Sequence, residues 1–138
     1  MDSITGGDCA AAALQLLGII GGNNDFRLVV TQTGTALSAT STPFGGGPTC
    51  SWTGTAAANS VVFNATRCDV ATLRVRCANG ASRDVQFVSS RITASPISSA
   101  PGAIWSGSEA QSYNELVAGT TNNLGSLAFT ARFNMNRQ

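Results

Sequence analysis

Apolar and polar residues alternate one for one along much of this chain, most plainly near its end. Leu127, Phe129, Ala131, Phe133 and Met135 interleave with Ala128, Thr130, Arg132, Asn134 and Asn136. Successive side chains of a strand point to opposite faces. A period of two therefore predicts a long strand with one dry and one wet face. The habit recurs upstream. Phe26, Leu28 and Val30 point one way, a Thr33-Gly34 turn follows, and Leu37 and Ala39 return. Trp52 to Ala56 and Val61 to Ala65 form a hairpin about Ala58-Asn59. Leu73, Val75 and Cys77 lead into Asn79-Gly80, the strongest turn dipeptide present, and Val85 and Phe87 come back. A three-residue loop there sets Leu73 opposite Val85, whereas a two-residue loop would set Val75 against Asp84.

The segment Arg91 to Ile97 is a further strand ended by Pro96, and Pro101-Gly102 turns again. Ile104 to Leu116 is the next strand or pair, and Ala118 to Asn123 is a polar loop. About eight strands at roughly 8–12-residue spacing predict an all-β fold, an antiparallel up-and-down barrel or sandwich. Two segments depart from the pattern. Pro43 to Pro48, around Gly45-Gly46-Gly47, is a loop. Cys9 to Ile20 is Ala- and Leu-rich, with Asp8 to cap it and Gly21-Gly22 to stop it. The expectation is one domain over 1–138, with a short helix over 8–20 packed on a meander over 26–136.

A length of 138 residues, 43% of them apolar, supports one domain with a core. Only 11% of residues are charged, so the surface must be Ser, Thr, Asn, Gln and Gly. Eight basic and seven acidic residues leave a net charge of +1, which argues against a nucleic-acid partner. No stretch approaches the roughly 20 apolar residues of a membrane-spanning helix, so no membrane insertion is expected. Met1-Asp2-Ser3 has no positive leader and reads as the start of a mature secreted domain. Four cysteines point to an oxidising, extracytoplasmic compartment. Cys50 and Cys68 lie almost symmetrically about Ala58-Asn59, but a two-residue loop pairs Cys50 with Arg67. A β-bulge would restore the match. Three connectivities stay open, with the lean to Cys50–Cys68 and Cys9–Cys77.

The chemistry is mostly one of exclusion. With no histidine, Ser-His-Asp and Cys-His catalysis are out in their ordinary form, and with no lysine so are Ser-Lys variants. The four cysteines contain no C-x-x-C pair and have no histidine to complete a zinc site. Asn23, Asn24 and Asp25 read as a turn rather than a calcium site, and Asn64-Ala65-Thr66 as a chance sequon inside a strand. Glu109 and Glu115 share parity, but six residues of strand span about 20 Å, too far for a glycosidase pair at roughly 5–9.5 Å. These carboxylates, with Asp69 and Asp84, read as solvated groups near Arg74, Arg76 or Arg83. The chain reads as no enzyme, with no cofactor and no metal. Trp52, Trp105, Tyr113 and Phe87 carry the positive hint, because Trp and Tyr join apolar surface to one hydrogen-bonding handle, which suits a ligand pocket.

Trp52-Thr53-Gly54-Thr55 is echoed by Trp105-Ser106-Gly107-Ser108. With the Gly-bounded hairpins, short polar turns and long alternating last strand, these segments make residues 26 to 136 resemble the calycin group, lipocalins and avidins. The resemblance implies a meander barrel and nothing about individual binding residues. The Gly-x-Trp opening of lipocalins is replaced by Phe26-Arg27-Leu28. Two functions are expected of such a chain. The first is a secreted, non-enzymatic binding module for a small apolar or amphipathic ligand in the barrel mouth. The second is a structural or interaction protein: a protease inhibitor, or a subunit that self-associates through strand edges.

Overall fold

All regular structure among the described residues is strand, as the alternating pattern requires. The computed structural model describes residues 3–5, 9, 26–43, 49–69 and 72–136. The strands are β1 (Ser3–Thr5), β2 (Phe26–Thr33), β3 (Ala36–Pro43), β4 (Cys50–Ala57), β5 (Ser60–Cys68), β6 (Thr72–Arg76), β7 (Ser82–Pro96), β8 (Trp105–Val117) and β9 (Asn123–Met135). Apart from Cys9, the helix expected over 8–20 lies outside the described residues. So do Asn23-Asn24-Asp25 and Gly45-Gly46-Gly47.

Every pairing is antiparallel, in the order β1-β9-β8-β7-β5-β4-β3-β2, with β6 added on β7. This is an up-and-down sheet with one excursion. β7 serves both halves: Ser82–Gln86 pair with β6, and Arg91–Ala94 pair with β5. The sheet curls until its far strands meet. Phe26 of β2 stands edge-on to Phe133 of β9, with ring centroids 5.8 Å apart. The result is a barrel-like sheet whose inner face carries Leu37, Ala39, Trp52, Phe63 and Ile92, all at most 7% exposed. In the other half the same face carries Val75, Val85, Leu127 and Phe129, at most 3% exposed.

Local chemistry sets the register. Thr33 pairs with Ala36 across a two-residue loop. Gly34 takes φ 61° there, a conformation that glycine adopts without a Cβ penalty. Loop Ala78-Asn79-Gly80 has three residues, Gly80 sits at φ 84°, and Leu73 lies opposite Val85 as expected. In the β4–β5 hairpin Trp52 faces Ala65 but Ser51 faces Arg67, so Thr66 is the extra residue of a bulge. The slip brings Cys50 opposite Cys68, and the two form a disulfide; Cys9 and Cys77 form the other.

The segments around Val85 and from Arg91 to Ile97, expected as two strands, join in one, β7, which ends at Pro96. A bulge leaves Val88 unpaired between Phe87, opposite Tyr113, and Ser89, opposite Ser112. It shifts the parity of the inner face from Val85 and Phe87 to Ser90, Ile92 and Ala94, which is why the alternation breaks in the sequence.

The echoed Trp-x-Gly segments share a structural reason. Gly54 pairs with Phe63, and Gly107 pairs with Phe133. A Cβ on Gly54 would run into the Val62 carbonyl and touch the Phe63 ring. One on Gly107 would run into the Thr93 carbonyl and come within 2.8 Å of both Ala94 and the Phe133 ring. In each case an aromatic ring lies over a glycine on the neighbouring strand and covers it where the sheet is sharply coiled.

Candidate functional site

The four aromatic candidates fall into separate places on the inner face. Phe87 and Tyr113 meet edge to face at 5.7 Å, and Tyr113 meets Phe129 the same way at 5.1 Å. Trp52 belongs to the other half, packed among Leu37, Ala39, Cys50, Phe63 and Ile92, and its indole N–H donates to Ser41 Oγ at 2.9 Å. Trp105 opens β8 opposite Pro96 and Met135. Eight residues separate it from Tyr113 on the same strand, or roughly 26 Å. The structure thus brings Phe87 and Tyr113 together and leaves the two tryptophans apart from them.

The inner face of β8 carries an unexpected feature. Glu109, Gln111, Tyr113 and Glu115 alternate along it, opposite Ile92, Ser90, Phe87 and Val85. Carboxylates expected in solvent are therefore turned inward. Glu109 Oε1 accepts from Ser90 Oγ and from Gln111 Nε2, each at 2.6 Å. Gln111 Oε1 in turn accepts from the Tyr113 hydroxyl at 2.8 Å. Glu115 is 2% exposed and faces Arg83, with Oε1 3.3 Å from Nε. That Nε is buried and makes no hydrogen bond. Burial, with a smaller contribution from the Glu109 charge, pushes the Tyr113 hydroxyl up to about 12 from an ordinary 10.0.

Tyr113 is the only tyrosine, so its titration can be read directly from tyrosinate absorbance. A midpoint near 12 is expected, and Glu109→Gln should lower it only part of the way, since burial is the larger cause. A raised folded pKa stabilises the fold below pH 10 and loses that stabilisation between 10 and 12. A midpoint at the ordinary value would mean that Tyr113 is in water.

Asp84 faces outward and is also engaged. Arg74 donates to it through Nε at 2.8 Å and Nη2 at 3.0 Å, and the Gly119 N–H donates at 2.8 Å. The Arg74 hydrogen bonds first, then that of Gly119, hold its carboxyl down to about 2. Asp69 accepts from the Thr49 N–H at 2.7 Å.

The outer face differs in kind. An open groove of ≈ 650 Å³ crosses β5, β7, β8 and β9, lined by Ser60, Thr93, Ser95, Ser106, Ser108, Arg132 and Asn134, with Ala94, Gly107 and Phe133 in its floor. Thr93, Ser108 and Arg132 lie in one cross-strand row, and Ser95, Ser106 and Asn134 in the next. Neighbouring strands are about 4.8 Å apart and alternate residues about 6.6 Å, so hydroxyls form a small grid.

Compared with family models, characterised proteins and solved structures, the chain gives no match.

Among the described residues, no three or more His, Cys, Asp or Glu side chains converge to hold a metal ion, and no helix is long and apolar enough to cross a membrane. What the arrangement offers is hydrogen bonding. Neither the ladder nor the groove shows in the hydropathy pattern of the sequence. The signal for the ladder was size rather than hydropathy: Trp105, Glu109, Gln111, Tyr113 and Glu115 share one parity, while Ser106, Ser108, Ala110 and Ser112 hold the other. The small parity faces out and builds the groove.

Proposed function

We propose that this domain is a secreted, non-enzymatic binding module of calycin-like architecture that holds its ligand on the outer face, in the groove over β5, β7, β8 and β9. The groove itself carries the reading: it is a concavity lined by hydroxyl, amide and guanidinium groups. Of the inner-face aromatics, Phe87, Tyr113 and Phe129 are committed to one another and Trp52 to Ser41. Glu109 and Asp84 accept several hydrogen bonds each, which suits structural carboxylates better than a poised acid or base. Two disulfides suit an extracytoplasmic setting.

Filling the groove tests this. Ser108→Trp places a bulky side chain at its centre on an outward position. Across a panel of oligosaccharides, small metabolites and lipids, a compound that binds the parent protein should lose binding to the variant, with thermal stability retained. Undiminished binding to the variant would put the site elsewhere.

A second reading has its own observation. β2 contains no Pro, no Lys and no bulge, and Val29 and Val30 on it are about half exposed. Among the described residues β2 has β3 as its one strand partner, and an edge strand of this kind can template pairing with another chain, as in an assembling subunit. Light scattering separates the two readings, since a monomer at high concentration counts against assembly.

A further inference from the structure

The inner-face ladder brings an alcohol, an amide and a carboxylate into mutual contact. Ser90 of β7 and Gln111 of β8 are direct cross-strand partners. Such partners have Cβ atoms about 4.5–5.5 Å apart, close enough for their side chains to meet end to end. Both donate to one atom: Ser90 Oγ and Gln111 Nε2 each lie 2.6 Å from Glu109 Oε1. The alcohol oxygen and the amide nitrogen are therefore no more than twice that distance apart. A carboxylate only accepts, so Glu109 fixes which way the Gln111 amide faces. Its nitrogen meets Glu109, and its oxygen accepts from the Tyr113 hydroxyl at 2.8 Å.

We infer that Ser90 and Gln111 join in an ester bond that staples β7 to β8, made by the fold itself without an outside reagent. Ser90 Oγ attacks Cδ of Gln111 and passes its proton to Glu109. The carbonyl electron pair moves onto Oε1, where the Tyr113 O–H stabilises the charge. Glu109 hands the proton to Nε2, the C–N bond breaks, the carbonyl re-forms and ammonia leaves. One C–O bond replaces one C–N bond, nothing is oxidised or reduced, and Glu109 ends as it began. Ammonia takes up a proton in bulk water and diffuses away, which draws the exchange forward.

The surroundings suit this step. Ser90 is 3% exposed, so water competes poorly for the amide and later for the ester. Strand pairing holds the reactants together, which removes the entropy cost of an encounter. Burial pushes Tyr113 up to about 12, so it keeps its proton to donate at neutral pH. The hydrogen bonds of Glu109 engage the two reacting groups, which closes it to an outside substrate. The step happens once per chain and is no turnover, so it stands beside the non-enzymatic reading and is independent of what the groove holds.

The test is the mass of the folded protein after reduction of its disulfides. The parent should be lighter than its sequence by one ammonia. Trypsin should release residues 84–91 and 92–132 as one joined species, although cleavage after Arg83, Arg91 and Arg132 separates them where no bond exists. Mild hydroxylamine, which cleaves esters and spares amides, should part them. Ser90→Ala should show the full mass, and Ser89→Ala, at an exposed position, should keep the bond. Tyr113→Phe keeps the ring between Phe87 and Phe129. In freshly made protein it should slow joining by about a hundredfold, the value of one oxyanion donor, and Glu109→Gln by a similar factor. Full sequence mass in the folded parent after prolonged incubation would overturn the inference. So would an ammonia loss confined to residues 77–83, which hold Asn79-Gly80, or a joined species that persists in Ser90→Ala. Parent-like rates in both Glu109→Gln and Tyr113→Phe would overturn the route.

Discussion

Replacing Glu115 by alanine is expected to destabilise the fold by about 3 kcal/mol, the lower end of the cost of removing one partner from a buried ion pair. The physical reason is what remains behind. Glu115 has 3% of its side chain exposed, and it is the carboxylate that faces Arg83. Without it, the buried Arg83 Nε, which already lacks a hydrogen bond, loses its counter-charge as well. The lower end applies because Arg83 keeps 24% of its side chain in water. Arg83→Met should cost a comparable amount by stranding the carboxylate. The double change Arg83→Met with Glu115→Leu should recover most of the loss, since an apolar pair of similar volume avoids desolvating two charges. Urea denaturation of the parent protein, Glu115→Leu, Arg83→Met and the double variant gives the cycle. Additive losses would mean that the two groups do not interact across the sheet.

Opening the Cys9–Cys77 disulfide is the second large effect. The bond spans 68 positions and Cys50–Cys68 spans 18. On the chain-entropy account the longer loop restrains the unfolded chain more, giving about 4 kcal/mol against about 3 kcal/mol. Cys9→Ser with Cys77→Ser should therefore lower stability more than Cys50→Ser with Cys68→Ser, read as denaturation midpoints at equal slope. The hairpin bond also has less left to do, because the ladder between β4 and β5 already aligns its ends. A reversed order would show that native-state packing around Cys50 outweighs the loop term.

How far the sequence revealed this molecule depends on which rule each residue obeys. The closing strand, the Gly34 and Gly80 turns and the Leu73–Val85 register follow from alternation and turn chemistry, which are local. The bulge at Thr66 was inferable because two cysteines had to meet. The bulge at Val88 was not, because it changes the inner face from odd to even positions and leaves no residue that announces it. β1 was hidden by its length: Ser3–Thr5 gives three residues, too few to show a period. The candidate site was less legible still. Glu109 and Glu115 looked like surface groups because charge usually seeks water. Only the cross-strand partners Ile92 and Val85 show that they face inward. The groove depends on four strands lying side by side, and Ser60, Ser95, Ser106 and Asn134 carry no mark that links them in one dimension.

The groove is tested most directly by a map of backbone amide resonances with and without a compound that binds the parent protein in the panel above. Shifts are expected to concentrate at Thr93, Ser95, Ser106, Ser108 and Arg132, with the amides of Trp52, Phe87 and Tyr113 unmoved. Shifts gathered instead at those aromatic residues would place the ligand inside the sheet and contradict an outer-face site.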